Sequence, residues 1–370
     1  MPAWPKGLIL RTKARTKAPP AFHPHMKYKL LSISPEKGET NIGDYIQALA
    51  SAQFLPTMDG FVDREHLKAY DDEETKMVMN GWYMHQPEQW PPSEKIHPLF
   101  VAFHINVLAQ DAMLSPRGIS YLRKFAPIGC RDKGTMRLLA DKGVEAYFSG
   151  CMTLTLSARY RFTGTEREGI YFVDPTVTFK SQWEKVGWFF RSFLSLGTVA
   201  RLYKKFPHDG YKHKFYRWVY VTKMYALYGR LFSKDAMLEA TYVSQQNGRY
   251  NRDFPSDEAR LSEAERLVRN YAKAKWVVTS RIHCALPCLG LETPVLFIYD
   301  DHQSEASRCR MDGLLELFKT IHWDGRRVYS EEADIFACGK VGVRSTWKNK
   351  ELWRPLAEAL KESCRKFVSA

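Results

Sequence analysis

Short apolar runs alternate along this chain with stretches whose apolar residues recur at helical spacing, and the alternation predicts strands and helices in turn. Tyr28 to Ile33 reads as a strand and Tyr45 to Gln53 as a helix, followed by strands at Lys76 to Met79 and Phe100 to His104. Ile119 to Phe125 is the next helix. A short strand at Ile128 to Arg131, a helix at Gly134 to Lys142 and strands at Val144 to Phe148 and Ile170 to Val173 complete the first series. A second series opens with a strand at Thr241 to Ser244 and a helix at Ser262 to Lys273, where Ser262 and Glu265 have capping-box spacing. Trp276 to Val278, His283 to Leu289, Pro294 to Tyr299 and Met311 to Lys319 follow as strand, helix, strand and helix. Such alternation builds a largely parallel sheet covered by helices, so the fold class is α/β.

A chain of 370 residues exceeds one ordinary core and predicts two lobes with a cleft between them. Residues 1–25, rich in proline, lysine and alanine without hydrophobic period, are expected to be a disordered tail, with Met26 as the functional start. The first lobe then spans 26–178, a basic aromatic helical insert 179–239 and the second lobe 240–346. A C-terminal helix over 347–370 is expected to pack back across both lobes.

Charge sharpens the picture of the insert. Of the net +14, residues 1–29 carry +7 and residues 179–234 carry +10, leaving −3 over the rest of the chain. A nucleic-acid binder would be basic throughout its binding domain, so nucleic acid is not expected as a partner. Sixteen aromatics fall among the 56 residues of 179–234. Trp183, Trp188, Phe189, Phe190 and Phe193 beside Lys185 and Arg191 have the composition of an interfacial amphipathic helix docking on an anionic membrane, or of a helical insert whose aromatics fill a local core. No apolar run is long enough to cross a bilayer, and the first twenty residues lack the apolar core of a signal peptide, so the protein is expected in the cytoplasm, peripheral to the membrane face at most. Seven scattered cysteines suit reduced thiols; Cys284 and Cys288 lack the second pair a structural zinc would need, and no metal is expected.

The candidate chemistry lies at the C-terminal ends of predicted strands, where open α/β sheets bind ligands. Thr279-Ser280-Arg281-Ile282-His283 puts an arginine and a histidine at such an end: a planar fork for carboxylate or phosphate, and a group that moves a proton near neutral pH. A charged arginine there needs a partner, either an anionic ligand or an internal acid. The loop Gly38 to Asp44 opens the first helix, where Asn41, Gly43 and Asp44 either face an anion or simply cap. Arg131, at the end of another strand, reaches the same edge, with Asp132 holding it or capping the next helix. Asp300, Asp301 and His302 follow a further strand and read as contacts for acceptor hydroxyls or for a metal, or as a solvated loop. Asn80 to Pro92, with Trp82, Tyr83, His85 and Trp90, reads as a sugar-stacking surface or as buried packing.

Taken in order, Asn41-Ile42-Gly43-Asp44, Cys130-Arg131-Asp132-Lys133-Gly134-Thr135, and Thr279-Ser280-Arg281-Ile282-His283 with Gly290-Leu291-Glu292-Thr293-Pro294-Val295 resemble the polysaccharide pyruvyl transferase family over roughly Lys27 to Tyr299. The resemblance implies two Rossmann-like domains in a GT-B-like arrangement. It also implies transfer of pyruvate from phosphoenolpyruvate, the donor substrate, to a glycan or polyprenyl-linked oligosaccharide acceptor of capsule or exopolysaccharide, with no other cofactor. On that basis His283 and Arg281 are the catalytic pair and Arg131, Asn41, Gly43, Asp44 and Ser280 bind substrate, to which their place after a strand adds Asp300 and His302. Two other readings stand beside it: a GT-B glycosyltransferase using a nucleotide sugar, and a non-enzymatic basic protein that docks on membrane or nucleic acid through 179–234.

Overall fold

The computed structural model describes residues 26–33, 38–209, 213–337 and 339–370. The tail expected over 1–25 lies outside the described residues, as does Cys338. Parallel sheets flanked by helices make the protein mixed α/β.

In the first half, three parallel sheets are chained through interrupted strands. Leu30–Ser32 pairs with Phe61–Asp63, and Lys27–Tyr28, one residue upstream, pairs with Thr75–Val78 and through it with Ile96–Leu99. After short breaks the same chain passes resume as Gly81–Tyr83 and Phe103–Ile105, beside Ile128–Cys130 and Ala146–Phe148. Ala102, at one break, has a φ of 53°, which is costly for a residue with a Cβ. The Ser149 hydroxyl accepts its N–H at 3.0 Å, and beyond this kink His104 is carried to the sheet edge.

The second half holds one six-stranded sheet, in the order Thr241–Val243, Ile170–Val173, Trp276–Thr279, Val295–Asp300, Lys319–Trp323 and Val328–Tyr329, parallel but for the last. Two expectations are corrected here. Ile170–Val173 is hydrogen-bonded between strands of the second series, so a lobe boundary at 178 would cut this sheet. The helix expected over Met311 to Lys319 is instead a single turn at Leu315–Leu317 leading into the strand Lys319–Trp323.

Helix starts follow local capping. Asn41 and Asp132 cap Ile42–Ala52 and Lys133–Ala140 by accepting the N–H of Gly43 at 3.1 Å and of Thr135 at 2.8 Å. The helix expected from Ser262 begins earlier, as Asp257–Lys273 with Ser256 at its cap; Ser262 lies inside, its hydroxyl on the Glu258 carbonyl.

The two halves meet in a shared core. Thr40–Asn41 forms an antiparallel pair with Gln246–Asn247, and Ile42–Ala52 packs on Asp257–Lys273, with the Tyr45 hydroxyl 2.6 Å from Asp257. The C-terminal helix, Trp353–Ser369, buries Trp353, Ala357, Leu360 and Cys364 in that core, and its last turn accepts hydrogen bonds from Tyr28 and Lys76. Among its described residues the insert forms four α-helices, Gln182–Arg191, Leu196–Lys205, Lys214–Tyr228 and Lys234–Glu239. Leu202, Phe206, Met224 and Tyr228 pack with Phe172, Trp276 and Ile298 over one face of the six-stranded sheet. Much of the insert is therefore core, whereas Gln182–Arg191 buries none of its residues. No helix among the described residues is long and apolar enough to cross a membrane.

Candidate functional site

Strand ends and helix starts from both halves converge on two adjoining cavities of about 570 and 300 Å³. Asn41, His283, Ser307 and Arg310 line both. The larger adds Asp44, Arg64, Trp82, His85 and His104; the smaller adds Ser280, Arg281, Tyr299, Asp300 and Gln303.

His283 sits one residue into the helix Ile282–Gly290, against the first turn of Ile42–Ala52. Its Nδ1 lies 3.4 Å from the Gln47 side-chain amide nitrogen, which is also 2.9 Å from an Asp44 carboxylate oxygen. The hydrogen-bond roles there follow the ring tautomer and the turn of the Gln47 amide; Nε2 is a buried atom with no partner among the described residues. Burial, and then the charges of Arg131, Arg310 and Arg281, push the His283 pKa well below the ordinary histidine range. Near neutral pH its ring is therefore uncharged.

Arg131 is wholly enclosed, at 0 % exposure. None of its guanidinium nitrogens has a hydrogen-bond partner among the described residues, where its nearest carboxylate, on Asp132, is 3.9 Å away. It lines neither cavity but stands behind their wall, where its charge acts on Asp44, His104, His283 and Arg310. Arg310 is a second under-partnered cation. Its Nε is buried without a partner among the described residues, and burial, then the Arg131 charge, bring its pKa down to about 10. Cations enclosed with so few hydrogen-bond partners are costly, so the pair suits an anionic occupant.

Arg281 differs. Its Nε donates to Asp174 at 2.7 Å and its Nη1 to Gln246 at 3.3 Å, so an internal acid holds it at the mouth of the smaller cavity. Asp174 also accepts from the Gln245 N–H, and its carbonyl accepts from the Ser280 hydroxyl at 2.5 Å. Asp44 faces the larger cavity; enclosure raises its carboxyl pKa, against the opposing pull of Arg64, Arg131 and Arg310.

A histidine and an aspartate form a further pair. His104 Nδ1 lies 2.6 Å from Asp132 and 3.1 Å from the Thr135 hydroxyl. Burial, then Arg131, lower the His104 pKa to about 4, although Asp132 pulls the other way. Burial would raise Asp132, but the His104 hydrogen bond and neighbouring charge outweigh it and hold the carboxylate low. A neutral His104 thus donates from Nδ1 to an ionised Asp132.

Of the residues singled out in the sequence, Asn41, Asp44, Ser280, Arg281, His283 and Asp300 line the cavities. Gly43 works by its lack of a side chain, since a Cβ there would lie 2.8 Å from the His283 Cβ. His302 is exposed, with Nε2 on the Asp324 carbonyl, and lines neither cavity. From the aromatic segment, Trp82 and His85 reach the larger cavity, with the Arg64 guanidinium 5.0 Å from the Trp82 ring, while Tyr83 and Trp90 are core. Sequence reasoning missed His104, Asp174 and Arg310. Only His104 had a usable signal, its place at the end of a predicted strand.

The family model described as polysaccharide pyruvyl transferase matches residues 41–302. No curated protein and no solved structure matches the chain. The matched span covers most of the chain and contains Asn41, Arg131, Arg281 and His283; the chain belongs to the polysaccharide pyruvyl transferase family.

Proposed function

We propose that this member of the polysaccharide pyruvyl transferase family moves pyruvate from phosphoenolpyruvate to a sugar of a cell-surface polysaccharide or its lipid-linked precursor, forming a pyruvate ketal. The observation that carries the reading is that His283 and Arg310, each with a buried nitrogen lacking a partner among the described residues, line both cavities in front of the enclosed Arg131 guanidinium. Phosphoenolpyruvate brings both a carboxylate and a phosphate to such a place, and guanidinium forks match both.

The chemistry uses these groups economically. One sugar hydroxyl bonds to C2 of the enol while C3 gains a proton and becomes a methyl group. The C2–O bond to phosphate then breaks, and a second hydroxyl closes the ketal. One hydroxyl proton ends on C3 and the other on the departing phosphate. His283, uncharged at rest, takes the proton of the attacking hydroxyl on Nε2 in the tautomer whose Nδ1–H is donated to the Gln47 amide oxygen, and the bound anion stabilises the charge it acquires. Arg281 and Arg310 bind phosphate and carboxylate, and Arg131 adds positive potential from behind. Asp44, with its raised pKa, is the second group on this wall suited to hold a proton.

We read the two halves as Rossmann-like lobes in a GT-B-like arrangement, the second lobe including Ile170–Val173, and place the enzyme in the cytoplasm. Thermal melts with phosphoenolpyruvate and with a panel of nucleotide sugars test the donor. Phosphoenolpyruvate is expected to raise the melting temperature. A shift with a nucleotide sugar and none with phosphoenolpyruvate would overturn the reading in favour of a glycosyltransferase.

A further inference from the structure

The helix Gln182–Arg191 and the turn after it present apolar side chains to solvent. Trp183, Phe190, Phe193 and Leu194 are 83, 64, 59 and 87 % exposed, and Val186 and Leu196 are exposed as well. Trp183, Val186, Phe190 and Leu194 recur at intervals of three and four, so they form one stripe. Gly187 falls in the same stripe, with open space around it.

The opposite side is fastened. Glu184 accepts from Lys223 Nζ at 2.6 Å, from the Lys180 N–H at 2.7 Å and from Trp188 Nε1 at 3.3 Å, and the Phe189 ring packs 5.7 Å from Phe215. The helix is held with its apolar side outward. Monomeric proteins expose apolar residues singly, whereas a contiguous stripe marks an interaction surface.

Charge selects the occupant. Residues 179–205 carry Lys180, Lys185, Arg191, Arg201, Lys204 and Lys205 against one acid, Glu184, which is already engaged. Residues 1–25 carry only cations, so laying that segment on the stripe would set like charges together. A second copy of the chain across a two-fold axis would do the same. Cations flanking Trp, Phe and Leu on a convex helix suit an anionic bilayer, with apolar side chains at the acyl boundary and lysines and arginines at the headgroups. We propose that Trp183, Val186, Phe190, Phe193 and Leu194 seat this protein in the interface of an anionic membrane, the helix lying in the membrane plane. The proposal stands on this exposed face and does not depend on the catalytic reading.

Co-sedimentation of the full chain with phosphatidylcholine vesicles, and with the same vesicles containing phosphatidylglycerol, tests it. Binding is expected to the anionic vesicles only and to weaken with salt. The double variant Trp183→Ser/Leu194→Ser is expected to bind at least about tenfold more weakly, and Arg191→Gln/Arg201→Gln to lose affinity with its apolar stripe intact. Phosphoenolpyruvate-dependent thermal stabilisation, read on the same samples, is expected to be unchanged in both variants, which separates failure of docking from failure of the catalytic reading. The proposal is overturned if the wild type stays in the supernatant with anionic vesicles or binds both vesicle types equally. A dimer in sedimentation velocity that Trp183→Ser dissociates would also overturn it, assigning the stripe to a second copy.

Discussion

Gly43 and His283 meet so closely that a Cβ built on Gly43 would lie 2.8 Å from the His283 Cβ and 3.3 Å from its Nδ1. The first turn of Ile42–Ala52 therefore sets where the imidazole stands, and glycine is the side chain that lets the helices approach. Gly43→Ala is expected to displace His283, costing about 1–3 kcal/mol of stability and about tenfold or more in kcat/KM. Urea melts and steady-state kinetics check this. A variant with wild-type values of both would mean that the contact relaxes without consequence.

Arg131 links stability to ligand in opposite senses. Replacing an enclosed cation that has no hydrogen-bond partner among the described residues and stands 3.9 Å from Asp132 by an apolar side chain of similar length, Arg131→Met, is expected to stabilise the empty protein by about 1 kcal/mol or more. It should also abolish most of the stabilisation by phosphoenolpyruvate. Melting temperatures with and without the ligand measure both effects; a destabilised variant that still responds fully to ligand would show that the Arg131 charge does not act on the bound anion.

His104 gives the pH dependence. Its folded pKa of about 4 lies below the unfolded value of about 6.5, so above pH 6.5 both states are neutral and the full stability is present. As pH falls, the unfolded chain binds a proton that the folded protein refuses, and stability declines until about pH 4, by about 3 kcal/mol for this group. His283, also depressed, acts in the same direction. His104→Asn, which keeps a donor near Asp132 and does not titrate, is expected to flatten the decline between pH 6.5 and 4 in urea melts; an unchanged slope would show that other groups carry it.

Much of this site was legible because strand ends and helix caps leave local marks. Asn41 and Asp132 sit between an apolar run and a helical period, and both cap as that pattern requires. Ile170–Val173 was placed to the residue, yet which sheet it joins depends on pairing across the chain, which its own residues do not encode. Lys319–Trp323 was missed because only Ile321 and Trp323 face the core, too short an alternation to outweigh the helical spacing upstream. The mistaken cap at Ser262 passed over Ser256-Asp257-Glu258, a cap followed by first-turn acids. Arg310 and Asp174 were invisible as site residues, since their importance comes from neighbours far away in sequence, Arg131 for one and Arg281 for the other.

Arg281 and His283 separate binding from proton transfer. Arg281→Lys keeps the charge but loses the fork that joins Asp174 to the cavity mouth, and is expected to raise KM for phosphoenolpyruvate about tenfold or more with a smaller effect on kcat. His283→Ala is expected to lower kcat about 10²–10⁴-fold, with phosphoenolpyruvate still raising the melting temperature. Equal losses of kcat and affinity in both variants would collapse the two roles into one structural effect.

The central claim is pyruvyl transfer, and phosphate release from phosphoenolpyruvate in the presence of free or polyprenyl-linked glycosides tests it most directly. Phosphate is expected only when donor and acceptor are both present, in equal amount to a pyruvate ketal detected on the sugar. No phosphate above background while a nucleotide sugar is consumed by the same protein and acceptors would contradict it.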